Sequence, residues 1–263
     1  MRDYSLLGAD GQLAVERGLA AAERYRSLVP RKRMKELMQR RNGPAIRDTV
    51  IWLGLLVALG VAGVVTWLSW WSVPIFATYG VLYGSASDSR WHECGYGTAF
   101  RTPWMNTVVY YIACLMIMRD PTVWRWSHTR HHTDTTIVGR DPEIVAMRPP
   151  ALGHIVANFF GIFDVPLACK HMFIHAAGRL TAQEATFVPE NQRHRTYRTA
   201  RGWLSMYAAV VAACVAADSV LPAMLIGLPR MYGTWLTWCP ASSNTVVWPT
   251  MSPITGSAPA RHT

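Results

Sequence analysis

Charge is scarce in this chain. Only 16% of its 263 residues are charged, below the share usual for a soluble domain. Its five cysteines (Cys94, Cys114, Cys169, Cys214, Cys239) stand singly, with no CxxC. That supports neither a thiolate zinc site nor a disulfide framework. No GxGxxG fingerprint occurs, so the chain carries no nicotinamide or flavin site of that kind. Acids are fewer than bases, 16 against 26, giving a net charge of +10. The excess gathers before residue 48, as in "PRKRMKELMQRR". No aromatic residues interleave that run as base stacking would require, so nucleic acid is excluded as a partner. The first long apolar run begins too far from the N-terminus for a cleavable signal peptide. No internal repeat is visible.

Apolar residues make up 51% of the chain, and Trp occurs 12 times. Thr49 to Trp71, "TVIWLGLLVALGVAGVVTWLSWW", is 23 residues without a charge, long enough to cross a bilayer core of about 30 Å. Trp70 and Trp71 suit the interface at its end. Pro74 permits a turn, and Val73 to Arg90 is expected to return as a second crossing. Pro103 to Met118 is apolar but short, and fits a buried or interfacial helix. Gly202 to Ala217 and Ser219 to Trp238 are expected to form a second pair of crossings, joined at Asp218, the last one weakened by Pro222, Pro229 and Arg230. The basic run ahead of the first span places the N-terminus in the cytoplasm. Counting crossings then puts the segments near His92 and His128 on that same side.

The expected fold is therefore all-α: a multi-pass integral membrane protein with about four transmembrane helices, a cytoplasmic histidine-bearing helical cap and a disordered C-terminal tail. Residues 1–48 read as a basic cytoplasmic arm, 49–238 as the membrane domain, and 239–263 as an aberrant tail.

"RWSHTRHHTDT" holds His128, His131 and His132 at offsets of three and four, neighbours on one helical face. Neutral imidazole is a good ligand for iron, copper or zinc, and three from one turn are hard to explain as packing. Asp134 and Asp141 are candidates to orient the rings through their N–H groups; each fits a solvated loop acid equally well. "KHMFIH" places His171 and His175 at i and i+4. These two suit an auxiliary ligand pair, but an interfacial helix accommodates such residues without a metal, and that plainer reading is preferred. His154 and His194 lack partners and read as packing or surface residues.

"HECGYGTAF", with His92 at the end of the second span, precedes "HTRHH" by some thirty residues. This pairing resembles the membrane fatty acid desaturases and their hydroxylase relatives over residues 44 to 238. The resemblance implies four spans and a cap holding two non-haem irons, with His92, His128, His131 and His132 among the ligands. It further implies O₂ as oxidant, a lipid or acyl-like substrate in the membrane and an external electron donor of ferredoxin or cytochrome type. Removing hydrogen from an unactivated C–H bond lies beyond any side chain, whereas iron with O₂ supplies the oxidant. Desaturation and hydroxylation share that abstraction, so a hydroxylase is the first alternative. A non-catalytic membrane remnant is the second.

Two departures bear on activity. The family pattern has histidine where Tyr96 stands, and a phenol is a poor ligand unless the metal deprotonates it; one ligand is read as lost. The family's third cluster, HxxHH after the fourth span, is missing from the sequence. From Cys239 the chain reads "CPASSNTVVWPTMSPITGSAPARHT", without acids or lysine, and its one histidine is His262. Read two nucleotides out of frame with G/C-rich codons, Ala241 to Pro259 becomes an ordinary charged segment, so a frameshift is the expected origin. Sequencing the gene decides it: a shifted frame that does not run on into HxxHH ends the idea. Few confident ligands for two irons imply a partial site and little activity.

Overall fold

The computed structural model describes residues 29–134, 140–143 and 152–233, together with Leu13 and Glu16. The described residues are helical throughout, with no strand among them. In chain order the helices are α1 (Arg31–Leu37), α2 (Asn42–Val65), α3 (Ser72–Gly95), α4 (Pro103–Met116), α5 (Pro121–Asp134), α6 (Leu152–Asn158), α7 (Asp164–Ala176), α8 (Glu190–Ala216), α9 (Leu221–Leu225) and α10 (Pro229–Tyr232), with a 3₁₀ turn at Glu184–Thr186. The tail expected from residue 239 lies outside the described residues, as does most of the basic arm.

Among the described residues two helices are long and apolar enough to cross a membrane: the one ending at Val65, and Glu190–Ala216. Only 22% and 6% of their apolar stretches are buried, where the core helix of a soluble protein would be mostly covered. The expected third crossing maps onto Glu190–Ala216, and the expected first ends at Val65 rather than Trp71, because the chain turns from Thr66 onward. Val73 to Arg90 is one continuous helix, α3, folded back against α2. Its second half is too polar to pass the same hydropathy test.

Ser219 to Trp238 does not form the continuous helix expected of a fourth crossing. Up to Gly233 it is two pieces, α9 and α10, of five and four residues. The break has a local cause. Gly227 turns the chain at φ +102°, and Pro229, lacking an N–H, starts a helix more readily than it continues one. Residues 234–238 lie outside the described residues.

The α2–α3 hairpin closes on small residues. A Cβ added to Gly63 would lie 2.8 Å from the Phe76 ring, and one at Gly60 would touch Tyr79. Small residues let helices approach where lipid gives no hydrophobic drive to associate. Trp52 Nε1 donates to the Leu82 carbonyl at 3.0 Å, a bond worth most where water is absent.

As expected, α4 is short for a span: its 14 residues reach about 21 Å. One face is covered, with Tyr110, Ala113 and Cys114 almost wholly buried, while Trp104 and Val108 are exposed. Tyr110 Oη donates to the Pro121 carbonyl at 2.6 Å, fixing where α5 begins. Asp120 caps α5, its Oδ1 accepting the N–H groups of Thr122 and Val123, each at 2.9 Å. The same oxygen accepts Thr196 Oγ1 at 3.2 Å. Thr196 lies in α8, so the histidine helix is hung from the second membrane-length helix.

Candidate metal centre

Two helix ends build the site. The last turn of α3 carries His92, and Tyr96 follows directly as its cap residue. The second half of α5 carries His128, His131 and His132. Ligand nitrogens of His92, His128 and His132 all lie within 4.8 Å of one another. The His128 and His132 rings meet edge to face, with their Nε2 atoms 3.2 Å apart. Two bonds of about 2.1 Å to one ion, meeting at roughly 100°, place nitrogens at about this separation.

The tautomers follow from the carboxylates behind the rings. His128 Nδ1 lies 2.8 Å from Glu143 Oε2, and His131 Nδ1 lies 2.8 Å from Asp141 Oδ2. An ionised carboxylate only accepts, so each Nδ1 carries a proton, and in a neutral ring Nε2 is then the nitrogen left to bind a metal. This is the carboxylate–histidine arrangement that orients metal ligands and raises their basicity. Glu143 is held in turn by the Ser127 hydroxyl at 3.1 Å, and its N–H donates to Asp141 Oδ1 at 2.9 Å.

Asp134 does not orient an imidazole. It is buried and pairs with Arg130 at 2.5 Å and Arg140 at 3.3 Å. A buried carboxylate needs such cations, and Arg130 and Arg140 supply them. The Arg140 pair draws residues 140–143 over α5, which delivers Asp141 and Glu143. Of the two acids expected to support the rings, Asp141 does so and Asp134 does not.

His131 is not among the three converging donors. Its ring lies 5.5 Å, centroid to centroid, from both His128 and His132, beside the group rather than within it. Tyr96 sits over the group, its ring centroid 5.2 Å from His92, 5.4 Å from His128 and 5.8 Å from His132. Partial burial, and then the Glu143 charge, raise its phenol above the ordinary value, which keeps it protonated. Partial burial and the neighbouring His128, His131 and His92 hold His132 below its ordinary value, so its ring stays neutral. Trp91 is buried and meets His128 edge-on at 5.3 Å, forming an apolar wall. His92, Tyr96 and His132 are exposed, leaving the opposite side open.

A family model described as Fatty acid desaturase matches residues 66–248. The chain belongs to the fatty acid desaturase family. The match begins just after α2, leaving the first membrane-length helix outside it, and runs ten residues past Trp238. No curated protein and no solved structure matches the chain. Desaturase membership implies two irons, a lipid substrate, O₂ and an electron donor. The residues fit one such ion: three imidazoles converge, and the ring of His128 has a carboxylate behind it. Among the described residues they do not by themselves enclose two.

Glu143 is the functional residue that sequence reasoning missed. The signal was present in "GRDPEI". An aspartate side chain commonly accepts the N–H two residues on and turns the chain there, as Asp141 does with Glu143, so an acid at 141 that reaches α5 brings 143 with it.

His171 and His175 converge elsewhere, on Glu184. His175 Nε2 lies 3.1 Å from Glu184 Oε1 and 3.0 Å from Oε2, and His171 Nδ1 lies 3.2 Å from Oε1. Burial acts to raise the Glu184 carboxyl, but the bonds from His171, His175 and Thr181 outweigh it and hold it well below the usual carboxylate range.

Proposed function

We propose that this chain is a membrane oxidoreductase of the desaturase type, with His92, His128 and His132 as ligands to one iron and His131 beside them. The observation that supports this most directly is the 3.2 Å approach of two imidazole Nε2 atoms, with His128's other nitrogen committed to Glu143. Iron bound there supplies, with O₂ and donated electrons, an oxidant strong enough to break an unactivated C–H bond. The protein's part is geometric. Glu143 and Asp141 keep the Nδ1 protons on His128 and His131, Trp91 backs the site with apolar surface, and the Arg140–Asp134 pair fixes the loop that carries both acids.

The substrate is a lipid or acyl-like chain held in the membrane, and the product is an alkene. Hydroxylation at the same position is the second reading, because it shares the hydrogen abstraction. The N-terminal arm and the histidines lie on the cytoplasmic face, where a ferredoxin- or cytochrome-type donor reaches them. Tyr96 occupies the place of a further imidazole, and the chain turns over slowly as a result.

Iron analysis of detergent-purified protein tests this reading. One iron per chain, lost in His128→Ala, is expected. No iron in the parent, or iron content unchanged in His128→Ala, refutes it. Incubation with a labelled acyl lipid, O₂ and a chemical reductant separates the products, alkene from alcohol.

A further inference from the structure

His171 and His175 lie one turn apart on α7, with ring centroids 6.0 Å apart. Glu184 reaches them from the 3₁₀ turn after α7. Its carboxylate is fixed before any ligand arrives: Oε2 accepts both the N–H and the hydroxyl of Thr181, each at 2.8 Å. Oε1 faces the two rings. One donor atom from each of the three residues lies within 4.8 Å of the others.

We propose that His171, His175 and Glu184 form a second metal site, for a single divalent cation of the zinc class. The site shares no residue with the His92 group and does not depend on the iron reading. Two imidazoles and one carboxylate, with a position left over, form a set that zinc accepts. His175 Nε2 and His171 Nδ1 lie 3.1 and 3.2 Å from Glu184 Oε1, separations that bonds of about 2.1 Å meeting at roughly 100° would give. The Thr181 donors supply the outer support that a ligating carboxylate needs. Access comes from the His171 side: that side chain is 36% exposed, against 4% for His175 and 6% for Glu184. A buried pair with one open corner binds an ion and leaves a coordination position for water.

The two groups lie on different helices, α3 and α5 for the first and α7 with its following turn for the second, and have no donor in common.

The test uses the full chain in detergent, stripped with chelator and titrated with Co²⁺ as a spectroscopic probe. A His128→Ala/His132→Ala double variant removes the first centre. It is expected to bind one cobalt per chain, with the visible absorption of a four- or five-coordinate ion. Adding His171→Ala is expected to weaken that binding at least tenfold, and Glu184→Gln likewise. His171→Gln, which keeps a hydrogen-bonding group at the half-exposed position, is expected to lose cobalt while the metal-free chain melts unchanged. No cobalt uptake by the double variant, or full affinity retained in His171→Gln, overturns the proposal and leaves the three residues as a hydrogen-bonded brace.

Discussion

Two pairs of histidines in this chain share one spacing and sit in opposite electrostatic settings. His128 and His132 are four apart on α5, and His171 and His175 are four apart on α7. In the first pair the rings face each other and a carboxylate lies behind one of them, at His128 Nδ1. In the second pair the carboxylate of Glu184 stands in front of both rings. Helical spacing brings imidazoles together. Where the acid comes from decides what they do. An acid behind a ring pushes a lone pair outward, whereas an acid in front either takes the N–H or becomes a ligand itself.

The largest expected effect is at His128, which joins both features of the first site. His128→Ala should abolish iron binding at the His92 centre, read as iron per chain after gel filtration, while cobalt uptake at the α7 site is unchanged. A chain that kept its iron would break the comparison at its root.

Next comes the acid behind the ring. Glu143→Gln keeps the shape but removes the charge that fixes the His128 tautomer. Iron affinity should fall by about 10- to 100-fold. Glu184→Gln should leave that affinity where it was. Equal losses in both variants would show that the two acids are not doing different things.

Tyr96→His sharpens the comparison from the other side, by adding a ring where the phenol stands over three imidazoles. Roughly tenfold tighter iron binding, about 1.4 kcal/mol, is expected in a competition titration. No gain would mean that this position does not face the ion.

The smallest effect is on stability in acid. The Glu184 carboxyl is lower in the folded chain than in the unfolded one. Its stabilising contribution is therefore fully present above the ordinary carboxylate value and is lost as pH falls below it, from about pH 4.5 downward. Thermal unfolding of metal-free protein in detergent should show this loss in the parent and not in Glu184→Gln. Identical acid profiles would mean that the carboxylate gains nothing from its setting.

Much of this was legible in the sequence, because the strongest signals were local. Residues 49–65 could only be a long apolar helix, though the uncharged run to Trp71 concealed the turn that begins at Thr66, and three histidines at offsets of three and four had to share a face. The all-helical build and the shortness of α4 followed from run lengths alone. Long-range pairings were not legible. Nothing local says that Asp134 finds Arg140 while Asp141 finds His131, because both acids sit in similar polar contexts and the loop's path decides. The broken stretch around Gly227 was foreshadowed by Pro222 and Pro229, yet average hydropathy concealed it. The role of Glu184 was invisible because its partners lie nine and thirteen residues away, across a turn.

The hydroxyl of Thr196 ties the cap residue of α5 to a helix long enough to span the bilayer. That joint makes α8 a gauge of its surroundings. A thinner or thicker lipid leaflet changes the tilt of a spanning helix, and any such change is passed to the register of the histidine rings. Iron affinity in nanodiscs of short- and long-chain lipid should then differ in the parent and converge in Thr196→Val.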